Sequence, residues 1–226
     1  AAFGSAGERC MAISVAVAVG DAADLIVKKV EERALAVKVN NGTAPDAEMG
    51  PVITPASKER IVRIVTEAEA AGAAMVVDGR DLVVPGHEDG FWVGPTVIDH
   101  VKTEMTAYSE EIFGPVLVVV RVEDLDAGIA LINSNPYGNG TAIFTSSGAH
   151  ARKFQRSVTV GMIGINVPLP VPVAHHSFGG WKASLFGDKH IYGPEGVSFY
   201  TRGKVVTSRW PEPTHASGAS YNFPSN

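Results

Sequence analysis

Between residues 12 and 166, short β-branched or small-apolar runs alternate with amphipathic segments of helical length. That alternation restricts the chain to strands joined by helical crossovers, the pattern of an α/β domain with a mainly parallel open sheet and flanking helices. Residues 12–19 (Ala-Ile-Ser-Val-Ala-Val-Ala-Val) read as a buried strand. Asp21 is expected to cap a helix on which Leu25, Ile26, Val30 and Ala34 fall at helical spacing. Thr54-Pro55, an N-cap residue followed by Pro, opens a second helix that buries Ile61, Ile64, Val65 and Ala68, with Gly72 closing it. Strands follow over 74–77, near 91–98 and over 116–122. In the last of these, six of seven residues are Val or Leu. Asp124 caps a helix that runs to about Ile132, and Asn135–Gly140 is a turn. Strand 141–145, helix 149–157 and strand 158–166 continue the rhythm.

Residues 197–209 change character. Val197, Phe199 and Thr201 alternate with Ser198, Tyr200 and Arg202; Gly203 interrupts, and Val205-Val206-Thr207 resumes. This predicts a late strand with a Gly kink that pairs with a neighbouring subunit. Residues 211–226, rich in Pro, Ser, Asn and Gly, read as a surface tail.

Composition removes several function classes. A single Cys in 226 residues leaves no disulfide framework and no Cys-cluster metal site. A formal charge of −5 without a Lys/Arg cluster argues against nucleic acid as a partner. No run approaches the roughly 18–20 apolar residues that span a bilayer, so no membrane partner is expected. No basic segment leads into an apolar one at the N-terminus, so no secretory signal is read and a cytoplasmic location is expected. The sequons at Asn41 and Asn139 then carry no weight. Gly-x-Gly-x-x-Gly, the P-loop and Gly-x-Ser-x-Gly are all missing from the sequence.

Three stretches hold the chemistry. Cys10 follows Gly4 and Gly7, which let the backbone turn tightly, and Arg9 precedes it; a cation beside a thiol favours the nucleophilic thiolate. Alone, a single Cys is most often a small buried hydrophobe. Glu110-Glu111-Ile112-Phe113-Gly114-Pro115 leads into the Val/Leu strand, and Ser177-Phe178-Gly179-Gly180-Trp181-Lys182 sets a Gly pair between aromatics. Taken singly, the former is a solvated acidic turn and the latter only a turn. His175-His176 has no carboxylate partner at regular spacing and reads as structural or pocket-lining, so no metal is expected.

Taken together, these stretches resemble the aldehyde dehydrogenase superfamily. Gly7-Glu8-Arg9-Cys10 matches its nucleophile signature, Glu111–Pro115 its Glu-Ile-Phe-Gly-Pro motif, and Phe178–Lys182 its Phe-Gly-Gly-x-Lys motif. The resemblance covers residues 1 to about 210. Four segments are similar to the branch that oxidises methylmalonate or malonate semialdehyde and passes the acyl group to coenzyme A. They are Gly-Glu-Arg-Cys-Met-Ala, Asn-Pro-Tyr-Gly-Asn-Gly-Thr-Ala-Ile-Phe-Thr, Asn-Val-Pro-Leu-Pro-Val-Pro-Val and Tyr-Thr-Arg-Gly-Lys-Val-Val-Thr-Ser-Arg-Trp-Pro.

The resemblance implies Cys10 as nucleophile, NAD as coenzyme and coenzyme A as co-substrate. It implies Glu111 as the carboxylate on the nicotinamide ribose hydroxyls and Phe113 as the aromatic beside that ribose. Phe178 becomes a pocket aromatic, and Arg9 the cation for a carboxylate on the aldehyde. It further implies a catalytic domain over 1–196, an oligomerisation strand over 197–210, and an NAD-binding domain upstream that this chain does not carry. The chain by itself is then expected to form no NADH, and the enzyme to be a homo-oligomer (dimer or tetramer) acting on a small-molecule semialdehyde. Two other readings use the same residues: a hydrolytic NAD-dependent aldehyde dehydrogenase, and a non-catalytic scaffold in which Cys10 is inert.

Overall fold

Four strands, β1 (Val15–Val19), β2 (Ala74–Val77), β3 (Thr96–Asp99) and β4 (Val116–Val122), make one sheet in the order β1-β4-β3-β2. The structure is a computed structural model and describes residues 1–210. β4 lies parallel to both neighbours, Val118 pairing with Val15 on one side and Ile98 on the other, while β2 runs antiparallel at the edge. A strand with ladders on both edges and cover on both faces has no polar side to present, and this is why 116–122 is an unbroken Val/Leu run. Val116 to Val120 are all buried.

α1 (Ala22–Leu35) and α2 (Pro55–Ala70) pack on this sheet, and the single turn α3 (Thr106–Ser109) leads toward β4. On α2, Ile61, Ile64 and Val65 are fully buried and Ala68 nearly so. Thr54 Oγ1 accepts a hydrogen bond from the Ser57 N–H at 3.0 Å, and Pro55 stands in the first turn. Such a cap is worth roughly 1 kcal/mol. Asp21 makes no such bond: its backbone is already helical (φ −66°, ψ −11°), so its carboxylate does not fold back onto the first turn. The strand expected near 91–98 begins only at Thr96, because Pro95 has no N–H to give a ladder and Gly94 N–H bonds Gly79 instead.

A second layer continues with α4 (Leu125–Ser134), β5 (Tyr137–Gly138), β6 (Gly140–Ile143), α5 (Gly148–Ser157), β7 (Met162–Ile165) and β8 (Trp181–Lys182). Asp124 caps α4 through the Ala127 N–H at 2.8 Å. β6 and β7 are parallel, β5 and β8 antiparallel. Ile129, Phe154, Val158 and Val160 form a separate small core beneath them.

Arg121, near the end of β4, joins three elements. It bonds the buried Asp99 of β3 through Nε (3.1 Å) and Nη2 (2.6 Å), and Asp24 of α1 through Nη1 (2.6 Å). Burial pushes the Asp99 carboxyl up, but hydrogen bonds from Arg121 and from the His100 N–H outweigh it and hold the group below its usual range.

The first part of the segment expected as a strand over 197–209 is helical instead. Residues 197–200 close α6 (Gly193–Tyr200), with Pro194 in its first turn. Thr201 is extended, and residues 201–210 join no ladder; a strand needs an edge to pair with, and none within the described residues receives them. Val205 and Trp210 are more than 90% exposed. The tail over 211–226 lies outside the described residues. No helix among the described residues is long and apolar enough to cross a membrane.

Candidate active site

Gly4–Gly7 forms a tight turn in which Ser5 (φ 53°), Ala6 (φ 53°) and Gly7 (φ 71°) are successively left-handed. For Ser and Ala that region is costly, of order 1–2 kcal/mol each, and it reverses the chain abruptly into Glu8-Arg9-Cys10. The turn is held by Glu8 N–H on the Ser5 carbonyl at 3.0 Å. Cys10 emerges exposed, with a free thiol. Its backbone N–H makes no hydrogen bond among the described residues, whereas its carbonyl accepts from Asn139 Nδ2 at 3.4 Å.

Arg9 does not stand alone over the thiol. Its Nε donates to Ser5 Oγ at 2.8 Å, folding the side chain back along the turn. Among the described residues it makes no ion pair, so the guanidinium's remaining donors are available to an incoming carboxylate. Glu8 is half-buried. Burial pushes its carboxyl above the usual range, opposed by the Ile53 N–H and by the nearby Arg60.

Gly7 joins this turn to the acidic stretch before β4. A β-carbon there would overlap the Gly114 carbonyl, so the two backbones lie in direct contact. Glu111 is exposed, and among the described residues its carboxylate takes no hydrogen bond. Phe113 sits at φ 50° and leaves 39% of its surface exposed. An unengaged carboxylate beside a presented aromatic face suits a ligand that offers hydroxyls next to a flat ring.

Asn139 joins the turn to the third stretch. Besides the Cys10 carbonyl, its Nδ2 lies 3.1 Å from Met11 Sδ. Gly140 leaves room for the tip of Met11 and for Pro170, and Gly180 packs on the backbone of Gly138 and Asn139. Gly161 in turn lies against Gly179 and Gly180, so three glycines are needed for the backbones to stack here. Phe178 is half-buried beside this contact. His190 covers Gly179, its Nε2 3.3 Å from the Gly180 carbonyl and its Nδ1 3.7 Å from Glu195. Lys182, left-handed at φ 55°, places Nζ 3.0 Å from both the Asn133 and Asn135 carbonyls at the end of α4. The adjacent rings of His175 and His176 stand 4.4 Å apart.

The three stretches therefore meet, but through backbone and glycine contacts. No hydrogen bond runs from Arg9, Glu111 or Phe178 to Cys10 among the described residues. Two contributors were not visible in the sequence pattern. Asn139 reads as a turn residue or sequon, and Arg60 as one polar position on a helix; each acts on a partner 51 to 129 residues distant.

Similarity to known proteins extends over nearly the whole chain. The profile of the aldehyde dehydrogenase family matches residues 1–206. The chain is 54% identical, over its whole length, to a malonate-semialdehyde dehydrogenase of Pseudomonas aeruginosa, covering 46% of that protein. It is 51% identical over 212 residues to the human mitochondrial acylating methylmalonate-semialdehyde/malonate-semialdehyde dehydrogenase, covering 39% of it. The crystal structure of a methylmalonate-semialdehyde dehydrogenase from Oceanimonas doudoroffii superposes with a TM-score of 0.90 at 57% identity, over 94% of this chain and 44% of that one. A Sinorhizobium meliloti protein described as a methylmalonate-semialdehyde dehydrogenase, complexed with NAD, gives 0.90 at 45% identity over 93% and 43%. The chain spans under half the length of the relatives it matches.

Proposed function

The chain belongs to the aldehyde dehydrogenase family, and from that premise we propose that it carries the thiol-bearing catalytic part of an enzyme. That enzyme oxidises malonate or methylmalonate semialdehyde and transfers the acyl group to coenzyme A. The observation that carries the reading is the exposed Cys10 thiol on a left-handed turn wedged against Gly114. An exposed thiol in a rigid turn is placed to attack, whereas a structural cysteine would be buried.

The Cys10 thiolate adds to the aldehyde carbon and forms a thiohemiacetal, splitting one difficult step into two. The Cys10 N–H donates to the oxyanion that develops, and the Asn139 bond to the Cys10 carbonyl steadies that residue's backbone. NAD, when bound, supplies the hydride acceptor. Glu111 would hold its nicotinamide ribose through the hydroxyls, and Phe113 would pack beside it. Loss of hydride from the carbon leaves a thioester on Cys10. The coenzyme A thiol then takes the acyl group, one thioester replacing another, and Cys10 recovers its thiol. The malonate-type carboxylate leaves as CO₂ and the carbon it vacates takes a proton from solvent, giving acetyl- or propionyl-coenzyme A. Arg9 binds that carboxylate in the ground state, and Phe178 lines the pocket.

We further infer a homo-oligomer in which the extended residues 201–210 pair between subunits, a catalytic domain over 1–196, and a cytoplasmic location. Malonate semialdehyde, NAD and the full-length enzyme, with and without coenzyme A, provide the test. Acetyl-coenzyme A formed in step with NADH is the expected result. Free acid formed at the same rate without coenzyme A would replace this reading with the hydrolytic one.

A further inference from the structure

Arg60 stands on α2, outside all three sequence stretches. Its Nη1 donates to the Glu111 carbonyl at 2.8 Å and its Nη2 to the carbonyl of the next residue, Ile112. One planar guanidinium thus grips two consecutive peptide groups, a geometry that a lysine ammonium cannot reproduce. The same Arg60 charge acts on Glu8, two residues before Cys10. Immediately beyond the gripped peptides, Phe113 is left-handed and Gly114 presses on both Ile61, the next residue of α2, and Gly7. The loop carrying Glu111 is therefore tied at one end by Arg60 and at the other by the glycine contact.

We propose that Arg60 is a positioning residue that fixes the Glu111 carboxylate relative to the Cys10 turn, and so sets how well the coenzyme ribose is held over the thiol. This rests on the reading of Glu111 as the ribose ligand. The fold does not need Arg60 for its core, since α2 packs through Ile61, Ile64, Val65 and Ala68, each at most 2% exposed. What Arg60 contributes is the register of a loop that is anchored inward by Ile112 and leaves Glu111 and Phe113 exposed. A small displacement of a ligand-holding group is enough to weaken binding and slow the transfer step.

The test uses the full-length enzyme with R60M, R60K, E111Q and the double variant R60M/E111Q. R60M is expected to raise KM for NAD about tenfold or more while KM for the semialdehyde moves less than about twofold. Alkylation of Cys10 by iodoacetamide should keep its rate to within about twofold, and R60K should recover only part of the NAD affinity. The double variant should be no worse for NAD than the poorer single variant, because both act through one carboxylate. Should E111Q raise KM for NAD while R60M leaves it unchanged, the positioning role falls and the ribose reading stands. Multiplying effects in the double variant, or an R60M enzyme with every parameter lost together and a collapsed Tm, would equally overturn it. An E111Q enzyme with unaltered KM for NAD overturns the ribose reading, and the Arg60 role with it.

Discussion

Gly7 and Gly114 touch backbone to backbone: one methyl group on Gly7 would occupy the space of the Gly114 carbonyl. Gly7 is also left-handed, at φ 71°. G7A therefore meets both a steric and a conformational obstacle, together costing about 2–4 kcal/mol. The turn has to move away from the Glu111 loop to relieve it, and kcat/KM is expected to fall about 100-fold or more. Steady-state kinetics of the full-length variant, alongside a thermal melt, check this. Full activity would show that the two loops need not touch.

Cys10 is exposed and is the chain's one thiol. Native protein should titrate one thiol with a disulfide reagent without denaturant, and C10S should titrate none. C10S in the full-length enzyme is expected to lower NADH formation by at least about 1,000-fold. Retained NADH formation would move the nucleophile elsewhere.

Arg9 is tethered to Ser5 by a 2.8 Å bond yet makes no ion pair among the described residues. R9A removes a cation that only a carboxylate-bearing substrate would use. Preference for malonate semialdehyde over propanal, as a ratio of kcat/KM, should drop about 10- to 100-fold, the scale of one charge-assisted contact. An unchanged ratio would assign carboxylate recognition to another group.

Asn139 ties the Cys10 carbonyl to the backbone packed on Gly180. N139A deletes a 3.4 Å hydrogen bond to the Cys10 carbonyl, weak by its length, and a 3.1 Å contact to the Met11 sulfur, itself a weak acceptor. The expected cost is a decrease of about 3- to 10-fold in kcat with KM for NAD unaffected. Pre-steady-state measurement of the acylation step separates this from slow product release.

Asp99 lies buried against Arg121 with its acidity strengthened. Its folded value is below the unfolded one, so the stabilisation is present above the ordinary aspartate value near 4 and is lost as pH falls through the folded value. D99N should destabilise the protein at pH 7 by about 1–2 kcal/mol, the scale of a hydrogen bond to a charged group, because Arg121 loses its buried partner but keeps Asp24. That deficit should shrink as pH drops below about 4. Urea melts of wild type and variant across pH 3–7 give the comparison; a deficit constant with pH would locate the cost in packing.

Local chemistry was the legible part of the fold. The buried face of α2, its Thr54 cap, the Asp124 cap and the β4 run follow from spacing and residue type, because each depends on neighbours a few positions away. Asp21 shows the limit of such rules: a capping residue type does nothing when its backbone is already helical. At the C-terminal end, alternation of apolar residues over 197–201 is compatible with a strand, but Pro194 starts a helix that carries the chain to Tyr200. In the site, residue types pointed only to Cys10 with Arg9 beside it, while Glu111, Phe113 and Phe178 stood out through the family motifs. The contacts that assemble them are made by Gly7, Asn139 and Arg60 across long sequence separations. Their roles come from three-dimensional proximity and leave no periodicity to read.

Lys182 carries a final consequence. Its ammonium is spent on the Asn133 and Asn135 carbonyls, where it closes the exposed end of α4. It behaves as a fastener, and the stretch Phe178–Lys182 diagnoses architecture more than chemistry. A relative that had lost its thiol could retain this lysine for folding reasons alone. Screening related sequences for live enzymes should therefore weight the position of Cys10, and treat the lysine as a sign only that the scaffold is intact.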